Sequence, residues 1–564
     1  MRLLSPVPTP YDPLEWAAKP FPEKARLVCQ AWAVQGYGSP VGVYGVYAFK
    51  VLLYIGGWLL FCAFTPGMGN PTQLSHWWLQ PTAFQKAIVW SLLFEFLGLG
   101  CGSGPLTGRY VPPVGGFLYF LRPGTTKLPV FPKLPLLGGI RRSPLDVLIY
   151  ASVIGLALRA LTAASIDSTM LIPVALVLPL AGIADKTLFL VARAEHYWTT
   201  VAVFALASSP AQWIPGAKAV MLALWFWAGT SKLNHHFPNV ICVMTSNGPL
   251  TARLPWLRKV MYRHYPDDLA PSRLAVIAHA GTMLEFAVPI VLLVAHGGAL
   301  TAAGIGLMVF LHVFITAQVP LGVPIEWNVM MVYGGFVLFW KYAATTVFAM
   351  PPLMGVFLAV MLVAVPLAGN LFPGRVSFLL SMRYYAGNWG YSVWLFRGES
   401  YRKLDRLTKA APWIHDQLRS MYDEATTVAV VGKVVAFRLM HLHGRALPLL
   451  LPRAVERVED YEWVDGEVVA GMVLGWNFGD GHLHHHQLLD AVQRQCGFEE
   501  GELRCIFVES QPLGRSTLHW RIADAARGVL ESGDVEVAEL RRRPPWPEAG
   551  SEAVRDAPAG ATLA

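Results

Sequence analysis

Between Trp225 and Pro249 the chain reads WFWAGTSKLNHHFPNVICVMTSNGP, an apolar helix running into Lys232. A charge inside a membrane span faces the protein interior by default, because lipid solvates it poorly, and there it does chemistry or forms a pair. Desolvation also pushes a lysine toward its neutral, basic form. Lys232 is therefore the first candidate for a base. The alternative is a lysine at a helix end whose ammonium reaches back to the interface. Trp225, Gly229, Lys232 and His236 follow an i, i+4, i+7, i+11 series and share one helical face. Small Gly229 leaves room there for a neighbouring helix or a flat ligand. Trp225 and Trp227 could wall an apolar pocket, although ordinary helix packing accounts for the same face.

Few other ionisable residues fall in apolar runs: Lys50, Glu95, Arg159, His196, His279, Glu285, His312, Glu326 and Lys341. Lys50, Arg159 and Lys341 lie close enough to span ends to snorkel. Glu326 reads as interfacial, at a span mouth. Glu95 and Glu285 lie deeper, where each is expected to balance a buried base. His196, in ARAEHYWTT, and His312, in FLHVFITAQVPLG, would be core histidines if alone. With Lys232 on a neighbouring span they become members of one interior group, since unpaired polar groups in lipid cost several kcal/mol each, on the order of 2–7. A separate constellation is GDGHLHHHQ, Gly479–Gln487. His482 and His486 suit one helix face and His482 and His484 one strand face. These three are weak candidates for a metal, with Asp480, Asp490, His441 or His443 the remaining ligands to consider. A strand–helix connection explains the GDG turn equally well.

The elements that must position these groups belong to a membrane protein. Of 564 residues 54% are hydrophobic and 15% charged, with mean hydropathy +0.42, against about 25% charged in a soluble domain. The 20 Trp and 19 Tyr suit two water–lipid interfaces. The net charge of +8 sits in particular loops, which reads as topology and not as nucleic-acid binding. The six cysteines are scattered and give no metal or disulfide framework. The first 40 or so residues lack the apolar core of a cleavable signal peptide. Apolar runs at 43–64, 84–102, 146–166, 169–184, 197–209, 214–233, 272–297, 300–318, 326–346 and 351–371 give about ten spans. Basic residues cluster in the N-terminal segment, in 103–146 and in the loop after Lys232, which places both termini in the cytoplasm.

After Phe372 the composition turns charged and mixed. Val428–Leu451 reads as a helix on the membrane surface or packed on the domain, not an eleventh span. Val468–Asn477 and Glu502–Ser510 read as buried strands, His485–Gln495 and Leu518–Leu530 as amphipathic helices, and Val535–Leu540 as a last strand.

Three segments carry a resemblance: AGTSKL (Ala228–Leu233), AEHYW (Ala194–Trp198) and LHVFITAQVPLGVPIEWNVMMVYG (Leu311–Gly334). Over roughly Asp146–Phe372 the chain resembles the horizontally transferred transmembrane domain, shared by vitamin K-dependent gamma-glutamyl carboxylases and many bacterial membrane proteins. The resemblance implies that Lys232 matches the lysine acting as base toward a reduced vitamin K ring, that His196 matches a second-helix histidine, and that His312 matches a later one. Ser231 stands where the first lysine of a KK pair is expected, Glu195 replaces an asparagine, and only Gln318–Pro324 stands for the LFxIGxF segment. The carboxylases work on the exoplasmic side, whereas the loop charges put the matched groups near the cytoplasm.

The resulting expectation is an all-α polytopic helix bundle of about ten spans with a small α+β soluble C-terminal domain. Its parts are an N-terminal cytoplasmic segment (1–42), two spans and a basic loop (43–145), the carboxylase-like core (146–372), a soluble or membrane-associated α+β domain (373–545) and a disordered tail (546–564). In the cell's plasma (inner) membrane, Lys232, His196 and His312 would act on a reduced quinone or other lipid-soluble substrate held by Trp225, Trp227, Gly229 and Glu285. The alternatives are a non-enzymatic lipid-binding subunit or scaffold that recruits a protein partner through 373–545, and a peptide or lipid maturation factor.

Overall fold

The computed structural model describes residues 3–103, 108–111, 116–318, 324–376, 383, 386–476 and 482–547. Four helices are long and apolar enough to cross a membrane: Val41–Cys62, Pro144–Thr162, Gly298–Thr316 and Pro352–Leu371. Glu424–Met440 and His443–Ala454, bent by 91° at their junction, would add a fifth if they form one broken span. Ser168–Ala184 and Ala278–Val294 are shorter apolar helices.

Four or five helices thus qualify by length and composition among the described residues, so the expected ten crossings are not confirmed; the other apolar runs form shorter, interrupted or more polar elements. The run 84–102 is the helix Pro81–Phe96, which carries Lys86 and Glu95 and is buried along nearly its whole length. The run 197–209 yields only the nine-residue helix Tyr197–Ala205. The run 326–346 opens as Ile325–Gly335 and widens into a π-helical turn at Phe336–Lys341. The Lys232-bearing helix, Pro210–Ser231, is surrounded by protein on most sides. A helix apolar all round is a buried helix, and protein can bury it as well as lipid can.

Beyond the last span an antiparallel sheet forms, in the order β4-β3-β5-β6-β7. Its strands are β3 (Tyr391–Arg397), β4 (Tyr461–Asp465), β5 (Leu503–Val508), β6 (Thr517–Asp524) and β7 (Gly528–Glu536). An earlier hairpin pairs β1 (Tyr262–His264) with β2 (Asp268–Pro271). Strand β3 is the buried one, with six of its seven residues inside, and Tyr391 stands opposite Val508 of β5.

Three local expectations are corrected. Val468–Asn477 is not a strand: Gly466–Leu474 is a helix, opened by the Asp465 carboxylate accepting from the Glu467 and Val468 N–H groups and closed by left-handed Gly475. Every residue of that helix is buried, so no period of exposure distinguished helix from strand. Leu518–Leu530 is not a helix but β6 and the start of β7. Val535–Leu540 is the end of β7 followed by the short helix Val537–Arg542. The helix His486–Cys496 and strand β5 lie where helix and strand were read. Within the segment read as a disordered tail, Trp546 packs in the hydrophobic core; residues 548–564 lie outside the described residues.

The N-terminal helix Phe21–Gln35 packs on Glu424–Met440 and on Phe237–Asn247, tying the start of the chain to the late helices. Trp16 lies against Gly432 at a distance a Cβ would crowd, about 3.0 Å from the indole.

Candidate functional site

Lys232 caps the C-terminus of its helix and donates to both carboxylate oxygens of Glu285, at 2.6 and 2.7 Å. Glu285 lies on Ala278–Val294, the helix packed against the lysine helix. Gly229 permits that approach, since a Cβ there would stand 3.2 Å from the Phe286 ring. The face read from Trp225, Gly229, Lys232 and His236 therefore divides: Gly229 packs a helix, while Trp225 and Lys232 look into a cavity. The ammonium also lies 5.5 Å from the centre of the Phe237 ring.

His312 stands on the same cavity. Its Nε2 accepts from the Trp225 indole N–H at 2.9 Å, so its proton resides on Nδ1, which donates to Asn328 Oδ1 at 2.7 Å. The Asn328 amide is fixed in turn by donating to the Pro324 carbonyl at 2.9 Å. A ring held at both nitrogens in this way is a neutral imidazole in one tautomer.

The cavity encloses about 940 Å³ between the bundle and the late helices. Aromatic and aliphatic groups such as Trp225, Ala228, Phe237, Met244, Leu311 and Trp327 make up most of its wall. The charged residues lining it fall into two sets: Lys232 and Glu285 from the bundle, and Lys433, Arg438, Asp465 and Glu467 from beyond the last span. Arg438 is clamped between Asp465 and Glu467, each at 2.5 Å, and Lys433 donates to the Val7 carbonyl at 2.8 Å.

His196 is not part of this lining. Its Nδ1 accepts from the Trp327 indole N–H at 2.8 Å, inside a closed polar network. There Arg193 meets Glu95 at 3.0 Å, Glu326 accepts from the Cys101 N–H at 2.9 Å, and Lys50 donates to the Gly100 and Ser103 carbonyls. Two expectations are corrected here. Lys50 does not snorkel and Glu326 is not interfacial; both are 1% exposed, because backbone carbonyls solvate the one and a backbone N–H the other. Trp227 turns elsewhere, donating to the Leu362 carbonyl of the last span at 2.7 Å.

The structure thus gathers Lys232, Glu285, Trp225 and His312 around one space and leaves His196, Trp227 and Gly229 outside it. Trp327 and Asn328, which were not read as site residues in the sequence, complete the site. The one signal for them was their place in the WN pair following Glu326.

In the C-terminal sheet the histidine run is also sorted by its contacts. His484 is occupied: its Nδ1 lies 2.8 Å from Ser392 Oγ, and its carbonyl accepts from Ser392 and Trp394 of β3. The His486 ring lies on Phe507, centres 4.3 Å apart. The groups that converge are His482, His485 and Glu509, with ligand atoms all within 4.8 Å of one another. His482 Nε2 and Glu509 Oε1 are in direct contact. Burial alone would raise the Glu509 carboxyl, but the adjoining His482 ring, the Ser510 N–H and Arg521 hold it down to about 2. His485 and Glu509 replace His484 and His486 in the expected metal set; Asp480 and Gly481 lie outside the described residues, as do 319–323 of the segment matched to LFxIGxF.

Comparison with known proteins gives one result that bears on identity. A family described as transmembrane protein of unknown function (DUF3556) matches residues 1–556. No curated protein and no solved structure matches the chain. The chain belongs to the DUF3556 transmembrane family.

Proposed function

We propose that this member of the DUF3556 family holds one lipid-soluble molecule in the cavity between its helix bundle and its late helices. The observation that carries the reading is a mostly apolar space of about 940 Å³ with a single acid–base pair, Lys232–Glu285, on its bundle wall. A volume of this size suits a drug-sized or single-chain lipid ligand. An apolar wall favours a long hydrocarbon or isoprenoid body, and the pair beside neutral His312 offers both a donor and an acceptor to a polar head. A carbonyl, hydroxyl or quinone oxygen is the head group that such a set recognises best, because the pair presents no net charge to a formal ion.

Lys232 serves here as a binding and positioning group. Both of its contacts, at 2.6 and 2.7 Å, go to the Glu285 carboxylate, so the side chain is engaged as a donor on the cavity wall. A second reading makes the protein an enzyme on a reduced quinone, by the match of AGTSKL to the carboxylase lysine. It requires an incoming polar head to part Lys232 from Glu285 first. The membrane is proposed to be the plasma membrane, with both termini cytoplasmic, from the clustering of Lys and Arg in alternate loops.

Displacement of a fluorescent long-chain probe from full-length protein in nanodiscs tests the binding reading. Unlabelled isoprenoid quinone or acyl alcohol should compete at stoichiometric amounts, and the free head group should not. Probe that binds equally well to empty nanodiscs would overturn it.

A further inference from the structure

We propose a divalent transition-metal site, fitted best to zinc, formed by His482, His485 and Glu509 at the edge of the C-terminal sheet. It is independent of the lipid cavity. Two imidazoles and one carboxylate form a known zinc ligand set, and three protein ligands leave one position open for water or another oxygen donor. The three ligand atoms lie within 4.8 Å of one another. A tetrahedral ion with bonds of about 2.1 Å needs ligand atoms roughly 3.4 Å apart, so an entering ion would part the His482–Glu509 contact and draw His485 in.

The surroundings are those of a built site. His485 is 4% exposed, and among the described residues neither of its ring nitrogens has a hydrogen-bond partner. A buried imidazole without partners loses its hydration for no return, and an ion is the partner that would repay it. Glu509 is oriented from outside the set: the Ser510 N–H donates to its Oε1 at 3.0 Å, and Arg521 stands 3.7 Å from its Oε2. Such outer contacts are what hold metal ligands in place.

The chain is arranged to bring the rings together. Ser392 and Trp394 of β3 pin the His484 backbone, which places His482 and His485 on either flank of it. Gly390, just before β3, lies under both rings: a Cβ there would come within 2.9 Å of the His482 ring and 3.1 Å of the His485 ring. His482 itself adopts a left-handed φ of 50°, an uncommon conformation for a residue with a side chain. Gly374, shortly past the last span, lies against the other side of Glu509, with a Cβ contact of 3.2 Å. An occupied site would therefore fasten the sheet beside the end of that span.

The test is zinc stoichiometry in the full-length protein, stripped with a chelator, given zinc sulfate, desalted and measured by elemental analysis. Wild type is expected to retain about one zinc per chain and Glu509→Gln to lose nearly all of it. The unliganded variant should stay folded and melt somewhat below unliganded wild type, because it lacks the carboxylate that faces His482 and Arg521. Cobalt in place of zinc should give ligand-field absorption in the visible range that zinc then quenches. Absence of zinc from wild type, or equal zinc in wild type and Glu509→Gln, would overturn the proposal. Should Glu509→Gln fail to fold, the cobalt spectrum of wild type decides: a spectrum no different from aqueous cobalt rejects the site.

Discussion

Lys232–Glu285 and Arg193–Glu95 are both acid–base pairs buried in the helix bundle, and Trp327 touches the surroundings of both. Its ring lies 5.8 Å from the Arg193 guanidinium, its N–H binds His196, and its other side lines the cavity. The pairs differ in what surrounds them. Arg193 and Glu95 have side chains 0% exposed, with Glu326 nearby as a second acid. Lys232 and Glu285 keep 10% and 5% of their side-chain surface open, toward the cavity. The closed pair is a structural fastening of several helices. The open one has space beside it, and space beside a polar pair in an apolar wall is what a ligand with one polar end requires.

The largest effect is expected at the closed pair. Arg193→Met strands two acids at a site with no solvent-exposed surface, and removing one partner of such a pair costs about 3–5 kcal/mol. Thermal unfolding in detergent should show a fall of many degrees or no folded protein. A midpoint close to wild type would remove the contrast on which the comparison stands.

Lys232→Met should cost less, about 2 kcal/mol, because water entering the cavity can solvate Glu285 or supply its proton. The double variant Lys232→Met, Glu285→Leu should recover most of that loss, since two apolar groups then replace a matched pair. A double variant less stable than the single one would mean that the pair holds the helices by more than its own contact.

A smaller effect is expected at the residue between the two regions. Trp327→Phe keeps the ring in the cavity wall but removes the donor to His196 Nδ1, a loss of about 1 kcal/mol. Probe affinity should change little while the melting midpoint falls slightly. The reverse pattern would place His196 in the binding site after all.

The polar chemistry of the bundle was legible in the sequence to an instructive degree. Glu95 and Glu285 were expected to balance buried bases because an acid in an apolar run must find one, and each did. The partner of Glu285 was foreseeable as Lys232, but Arg193, the partner of Glu95, was hidden in the charged junction before His196. What the sequence could not convey was which buried polar groups share a space. His196 and His312 look alike as lone histidines in apolar helices, yet one closes a network and the other faces a cavity. The count of about ten spans is not confirmed for a related reason: hydropathy registers removal from water and does not distinguish lipid from protein as the apolar surroundings. In the sheet, Leu518–Leu530 was read with the wrong period because a partly exposed strand pair carries charge on its open face. The His482–His486 run offered only weak metal candidates, and which of its histidines face Glu509 depended on Ser392 and Glu509, more than twenty residues away on either side.

A lipid-soluble molecule that occupies the cavity beside Lys232 should co-purify with the protein. Ala228 lines the cavity one turn before Lys232 and is 7% exposed, so Ala228→Trp fills space while keeping both members of the ion pair. Native mass spectrometry of full-length protein, with organic extraction of the same sample, should find about one long-chain molecule per wild-type chain, in keeping with a single drug-sized cavity. The Ala228→Trp protein, with its melting midpoint preserved, should carry almost none. Wild-type protein that folds, melts normally and carries no such molecule after gentle extraction, or an Ala228→Trp protein that retains it fully, would contradict the account.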